Sequence, residues 1–271
     1  MLTHPNCKIN LGLVITERRP DGYHNLETIF LPVDNFHDEL EINPIDAPGA
    51  ETTFCSEGTA LDCADSDNIV LKAYRMLLAD FPKMGPVSIR LRKAIPFGAG
   101  LGGGSADAAF TLCMLNQIFE LGLSAQQLCG YAARLGADCS VFVLNRPVLA
   151  KGIGELMTPL EFDLRRRMEE ERLEIRIVKP DDSVSTKEAY ARITPRNRIE
   201  DPELARYMPL HEAIALPVEE WKNCLVNDFE PSVFPGHPAI ARLKEEMYEQ
   251  GALYASMTGS GAAVYGIFRK N

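Results

Sequence analysis

Metal-ligand and disulfide spacing are missing from this 271-residue sequence: its seven cysteines (7, 55, 63, 113, 129, 139 and 224) form no C-x-x-C pair, and no two of its five histidines (4, 24, 37, 211 and 237) stand three or four apart. An odd cysteine count without such spacing points away from a disulfide framework and from a zinc site. Basic charge is also scarce. Lys and Arg total 28 against 38 Asp and Glu, a formal net charge of −10, which repels nucleic acid and anionic membrane. The single basic run, Arg165-Arg166-Arg167, is answered by Glu169-Glu170-Glu171 and reads as a self-paired, solvated helix face. No stretch approaches the roughly eighteen apolar residues of a membrane-spanning helix. Residues 1–20 lack the apolar segment of a signal peptide, so a reduced, cytoplasmic protein is expected. Internal repeats and low-complexity tracts are absent, and 46% hydrophobic with 24% charged residues is ordinary globular composition for one or two domains.

What is abundant is glycine, in one place. From Gly98 to Gly104 five of seven residues are glycine, between the alternating strand pattern Val87-Ser88-Ile89-Arg90-Leu91 and a helical spacing through Ala106, Ala109, Phe110 and Cys113. Strand, glycine loop and helix in that order make an anion site, because bare backbone N–H groups converge and the helix start adds unpaired amides and a positive dipole end. Ser105 is the expected N-cap of the helix. Asp107 is then expected in its first turn, where it suits the dipole but repels a bound triphosphate. No lysine stands between Gly98 and Ser105, which excludes the standard P-loop. Gly98-x-Gly100-x-x-Gly103 satisfies the dinucleotide fingerprint, but about twenty residues on, where an acidic strand end is required, Glu120 ends a helix. Phosphate binding is therefore favoured over a glycine loop that serves only packing.

Elsewhere, Ile9, Leu11, Leu13 and Ile15 alternate with Lys8, Asn10 and Gly12, which predicts a half-buried strand with Lys8 and Asn10 on one face. Pro20-Asp21-Gly22 is turn chemistry that presents Tyr23 and His24 ahead of a strand over 26–33. Strand 39–42 follows, then loops and weak strands over 44–67, and Asn68 stands at the start of a helix running to Pro82. Ser124 and Gln127 form a capping box whose helix ends at Gly136. Asp138 comes between that stop and the apolar Val141–Leu144, where the commoner use of aspartate is as a turn residue. Lys151–Glu155 is expected to be a hinge between lobes. Beyond it are expected a charged helix over about 162–172, a strand over 174–178, a helix near 187–192, a proline-bearing polar region, a helix from Pro238 to Gly251, and strands 252–257 and 262–268 around Thr258-Gly259-Ser260-Gly261.

Pro96 to Ala109 resembles the central motif of the GHMP kinases, P-x-x-x-G-L-G-G-G-S-x-x-A-A, at fourteen consecutive positions. Cys7-Lys8-Ile9-Asn10-Leu11, Asp21-Gly22-Tyr23-His24 and Thr258-Gly259-Ser260-Gly261 extend the resemblance along the whole chain, toward the branch acting on a cytidyl-linked methylerythritol in the non-mevalonate route to isoprenoids. The resemblance implies an α+β, two-lobed fold: a ribosomal-protein-S5-like ATP-binding lobe over 1–150 and a ferredoxin-like substrate lobe over 151–271. It implies ATP as cosubstrate with Mg²⁺, held by Pro96, Gly98, Gly100, Leu101, Gly102, Gly103, Gly104, Ser105 and Ala106, with Asn68 near the adenine and Ser105 as the metal's nearest protein ligand. Lys8 and Asp138 are implied as the catalytic pair. Asn10, Tyr23, His24, Tyr190, Thr258, Gly259 and Ser260 are implied at the cytidyl substrate, with Tyr190 standing where phenylalanine is more usual. The expected partners are that small molecule and a weak homodimer, without nucleic acid or membrane. Other members of the group, homoserine or mevalonate kinase or a diphosphomevalonate decarboxylase, remain open, as does a nucleotide-binding sensor that has lost catalysis.

Overall fold

The computed structural model describes residues 1–59, 66–160, 163–193 and 208–270. In chain order it contains strands β1 (Leu2–Thr3), β2 (Asn6–Arg18), β3 (His24–His37), β4 (Glu39–Pro44) and β5 (Thr53–Gly58), helix α1 (Ile69–Asp80), strand β6 (Val87–Lys93), and helices α2 (Gly103–Ile118), α3 (Ala125–Leu135) and α4 (Cys139–Leu144). Strands β7 (Val148–Lys151) and β8 (Leu156–Pro159), helix α5 (Leu164–Glu170), strand β9 (Leu173–Val178) and helix α6 (Thr186–Ala191) follow. The chain ends with short helices α7 (Leu210–Ala213), α8 (Trp221–Cys224) and α9 (Glu230–Val233), then α10 (Pro238–Glu249), β10 (Tyr254–Met257) and β11 (Val264–Arg269). The expected proline-bearing polar region falls mostly on 194–207, and Cys63 on 60–65, both outside the described residues.

Two compact units interleave along the chain. The first comprises residues 1–8, 32–97 and 102–146; the second comprises 9–31, 98–101 and 147–271. A single boundary at 150/151 does not describe this packing. Lys151–Glu155, expected as a hinge, is the turn of the β7–β8 hairpin, with Lys151 paired to Leu156 and Glu155 Oε2 accepting from the Ile153 amide at 2.6 Å.

In the first unit the sheet runs β1-β4-β6-β5. β4 pairs antiparallel with β6, whereas β5 pairs parallel with it, a geometry that requires the crossover supplied by α1. Val87, Ile89 and Leu91 from β6 face a core shared with Leu40, Ile42, Leu77, Leu112 and Leu115. Asn68 caps α1 by accepting from the amides of Val70 (2.9 Å) and Leu71 (3.3 Å). Ser124 and Gln127 form the capping box of α3, which stops at Gly136. The apolar run after Asp138 is a helix, since all four residues Val141–Leu144 lie in α4.

The second unit holds an antiparallel sheet ordered β10-β11-β9. Val264 and Phe268 from β11 share a core with Phe229, Val233, Ile240 and Met247. β2 and β3 belong to another sheet, ordered β2-β3-β7-β8. β2 is buried on both faces from Asn6 to Ile15, not on one face as the alternation suggested, so its polar residues need partners within the protein. In α5, Arg166 pairs with Glu170 and Arg167 with Glu171. Arg167 is not part of a solvated face, however: it also donates to the carbonyls of Ile214 and Leu216 at 2.8 and 2.7 Å. No helix among the described residues is long and apolar enough to cross a membrane.

Candidate active site

Within the first unit, the strand-to-helix passage starts at the end of β6 and leads into α2. Gly102, with φ 73°, is the last residue outside the helix and occupies the N-cap position. Ser105 is therefore not the cap but the third helical residue, because the backbone has already turned into the helix at Gly103. A glycine cap has no side chain to cover the first-turn amides, which leaves them available to an anion. Asp107 is likewise not in the first turn. It is buried in the second turn, where its Oδ2 accepts from Lys93 Nζ at 2.7 Å. Burial, ahead of the attraction of Lys93, pushes its carboxyl up to about 8.

Lys8 and Asp138 meet in this unit. Lys8 Nζ lies 3.4 Å from Asp138 Oδ2; the lysine is buried, while about a third of the aspartate side chain (35%) is open to solvent. The buried ammonium lies against a half-open carboxylate, one side of which stays reachable. A Cβ on Gly102 would stand 3.3 Å from Lys8 Cε and 3.0 Å from the Phe142 ring, so the lysine stem runs beneath the start of α2. The Cys139 thiol shares a hydrogen bond with the Ser105 hydroxyl, and burial pushes that thiol up to about 11.

The glycines divide by what surrounds them. Cβ atoms built on Gly98 and Gly104 would meet nothing within 4 Å, whereas one on Gly103 would come 2.7 Å from Ile95 Cγ2. Gly98 and Gly104 are thus open positions, and Gly103 is required by packing. The Asn68 Oδ1 accepts the two cap bonds, and Pro96 and Ala106 bracket the loop, half-buried and buried respectively.

Within the second unit, Gly98, Ala99 and Gly100 run against the turn joining β10 to β11. The amides of Ala262 and Ala263 donate to the carbonyls of Gly98 (3.3 Å) and Ala99 (3.2 Å). Gly100 leaves no room for a side chain against the Thr258 carbonyl, and Leu101 is buried. Asn10 and Thr258 are brought together, since Thr258 Oγ1 lies 3.2 Å from Asn10 Oδ1 and also contacts the Gly100 carbonyl at 3.3 Å. Both are buried, as is Thr28, which accepts from Asn10 Nδ2 at 2.9 Å and donates to the Gly12 carbonyl at 2.6 Å. Gly259 lies beside Gly100, and Ser260 hydrogen-bonds Thr186 at the start of α6.

His24 and Tyr190 also meet in the second unit. The Pro20-Asp21-Gly22 turn forms as expected, with the Gly22 amide donating to Arg19 and the Tyr23 amide to Asp21 Oδ1. Tyr23 is 62% exposed, whereas the His24 ring stacks on Tyr190 at 5.0 Å and 22°, and Phe229 meets Tyr190 edge-on. His24 and Tyr190 are thus in contact with each other, while the ring of Tyr23 is exposed. Partial burial, followed by the Arg18 charge, lowers the pKa of His24.

Residues 68–146 match the family described as GHMP kinases N terminal domain, and residues 210–271 match GHMP kinases C terminal. A protein of Bacteroides thetaiotaomicron named 4-diphosphocytidyl-2-C-methyl-D-erythritol kinase is 50% identical over 270 residues, covering 99% of this chain and 92% of that one. The chain belongs to the GHMP kinases. A protein of Bacteroides fragilis with the same name is 47% identical over 99% of this chain and 92% of its own length. A crystal structure of 4-(cytidine 5'-diphospho)-2C-methyl-D-erythritol kinase superposes with a TM-score of 0.78 at 29% identity, covering 98% of this chain and 89% of that one. The fold is accordingly the GHMP kinase fold, mixed helices and strands in an N-terminal and a C-terminal domain.

Sequence reasoning missed Thr28, Thr186, Asp38 and Lys93. Lys93 carried a readable signal, because it continues the inward-facing series Val87, Ile89, Leu91 by two more residues. Asp38, between two strands, carried none.

Proposed function

We propose that this GHMP kinase transfers the γ-phosphoryl group of ATP to the 2-hydroxyl of 4-diphosphocytidyl-2-C-methyl-D-erythritol, a step in isoprenoid precursor synthesis. The observation that carries the chemistry is the Lys8–Asp138 pair, set in the same unit as the uncapped start of α2. Likeness in sequence to kinases named for that substrate carries its identity.

The amides at the start of α2, with the open position Gly104, hold the ATP phosphates. Asp138 takes the proton of the attacking hydroxyl as its oxygen bonds to the γ-phosphorus and the bond to the β–γ bridging oxygen breaks. Lys8, against Asp138, lowers the energy of charge on the moving group. Among the described residues no group of three or more His, Cys, Asp or Glu is placed to hold a metal; the Ser105 hydroxyl, in the first turn of α2, would help hold Mg²⁺ together with the phosphates. When bound, Mg²⁺ neutralises phosphate charge.

In this proposal residues 1–150 supply the ATP cradle and the catalytic pair, while Tyr190 and Thr258–Ser260 from 151–271 serve the substrate with Tyr23 and His24. Asn10, Thr258 and Gly259 act there by shaping the loop at Gly100. A cytoplasmic setting, and at most a weak homodimer, complete the proposal. ADP release measured over a panel of alcohols tests it: turnover is expected with the cytidyl methylerythritol and not with homoserine or mevalonate, and the opposite preference refutes the substrate assignment.

A further inference from the structure

Three buried charged side chains, Lys93, Asp38 and Asp107, take no part in the proposed reaction. Lys93 ends β6 on its inward face; Asp38 lies between β3 and β4; Asp107 belongs to the second turn of α2. The Lys93 ammonium donates to Asp38 Oδ2 and, at 2.7 Å, to Asp107 Oδ2. The other oxygen of Asp38 accepts from the backbone amides of Ala94 (2.6 Å) and Ile95 (2.8 Å).

These contacts flank the glycine loop. Asp38 holds the backbone that enters it, and Lys93 reaches across fourteen residues to the helix that leaves it. Lys93 Nζ also lies only 3.3 Å from where a Cβ on Gly103 would stand, directly under the first turn of α2. A buried ion pair is a poor source of net stability, since well-packed apolar groups commonly replace it without loss. Its distinctive effect is geometric: it fixes the two stems, so the loop between them has fewer conformations to lose when its amides close on phosphate.

We propose that Lys93, clamped between Asp38 and Asp107, is the positioning residue of the phosphate-binding loop, tying its entering and leaving stems so that the cradle is preset before ATP arrives. The proposal rests on the assignment of that loop to the ATP phosphates. Asp107, its carboxyl raised by burial, completes the tie as an acceptor from Lys93; its Oδ1 has no hydrogen-bond partner among the described residues.

The test compares the full-length wild type with Lys93→Met/Asp107→Leu, Asp107→Ala and Asp107→Asn, reading ATP affinity by titration, KM and kcat, the unliganded melting temperature, and amide exchange. In the double variant Lys93 and Asp107 are replaced by apolar groups of similar size, while Asp38 keeps its two backbone N–H donors. Its ATP Kd and KM are expected to rise roughly ten- to a hundredfold, with kcat at saturating ATP changed less. Its melting temperature should fall, because Asp38 stays buried without its ammonium, while amides over 98–104 gain more exchange than those elsewhere. Asp107→Ala keeps the Lys93–Asp38 pair and should show the same loop-confined effects even if the double variant does not fold. Asp107→Asn retains the acceptor and should bind ATP nearly as the wild type does. Wild-type ATP affinity and loop exchange in Asp107→Ala or the double variant would overturn the proposal, as would exchange raised equally throughout the molecule. Failure of the wild type to bind ATP would instead remove the loop's assignment.

Discussion

Replacing Gly104 by alanine sets the stability of the protein against its proposed ligand. Gly104 is the second residue of α2, and a methyl group there would meet no protein atom within 4 Å. Alanine loses less backbone entropy on folding than glycine, so the free protein should gain about 0.5–1 kcal/mol. In a chain of this size that raises the melting temperature by roughly 1–4 °C. In the complex the same methyl group stands where phosphate oxygens approach the first-turn amides. Loss of one hydrogen bond to a charged group costs about 1.5–3 kcal/mol, which weakens ATP binding by roughly ten- to a hundred-and-fiftyfold. Gly103→Ala serves as the internal contrast, since its methyl group would press on Ile95 and should lower the melting temperature even without ligand. Calorimetric scans of the unliganded variants and titration with ATP read both quantities. A Gly104→Ala protein that binds ATP with wild-type affinity would refute the placement of the phosphates at this helix start. One that melts below the wild type would refute the openness of the position.

Asp138→Asn should lower kcat by about 10² to 10⁴ with ATP affinity little altered, and Lys8→Met should behave similarly; single-turnover kinetics with a parallel ATP titration checks this, and near-normal kcat in either variant would remove the pair from the chemistry. Tyr23→Ala should raise KM for the cytidyl substrate roughly five- to a hundredfold, the worth of one stacked base, while KM for ATP holds. An unchanged cytidyl KM there would shift recognition of the base to the other side chains of the turn.

The sequence by itself determined the local devices of this protein: the glycine loop between strand and helix, the Asn68 cap, the Ser124–Gln127 box, the Pro20-Asp21-Gly22 turn, and a pattern of motifs sufficient to identify the GHMP kinases. Each depends on the conformational preference of a few adjacent residues, so each is written in adjacent letters. Where two such preferences competed, the letters misled. The Ser105 hydroxyl looked like a cap, but the left-handed backbone at Gly102 starts the helix three residues earlier. The two glycines of 151–155 suggested a hinge, while the pairing of Lys151 with Leu156 makes it a hairpin turn.

Only the tertiary structure decided what depends on distance through space. Residues 8 and 138 form an ion pair, and 10 meets 258. Lys93 finds Asp38 and Asp107 inside the core, His24 lies on Tyr190, and the two units take alternate stretches of chain. Burial is the physical reason these could not be read in advance. A lysine in a strand is ordinarily solvated, and it becomes a buried, ion-paired group only when packing from remote segments removes its water and leaves a carboxylate as its partner.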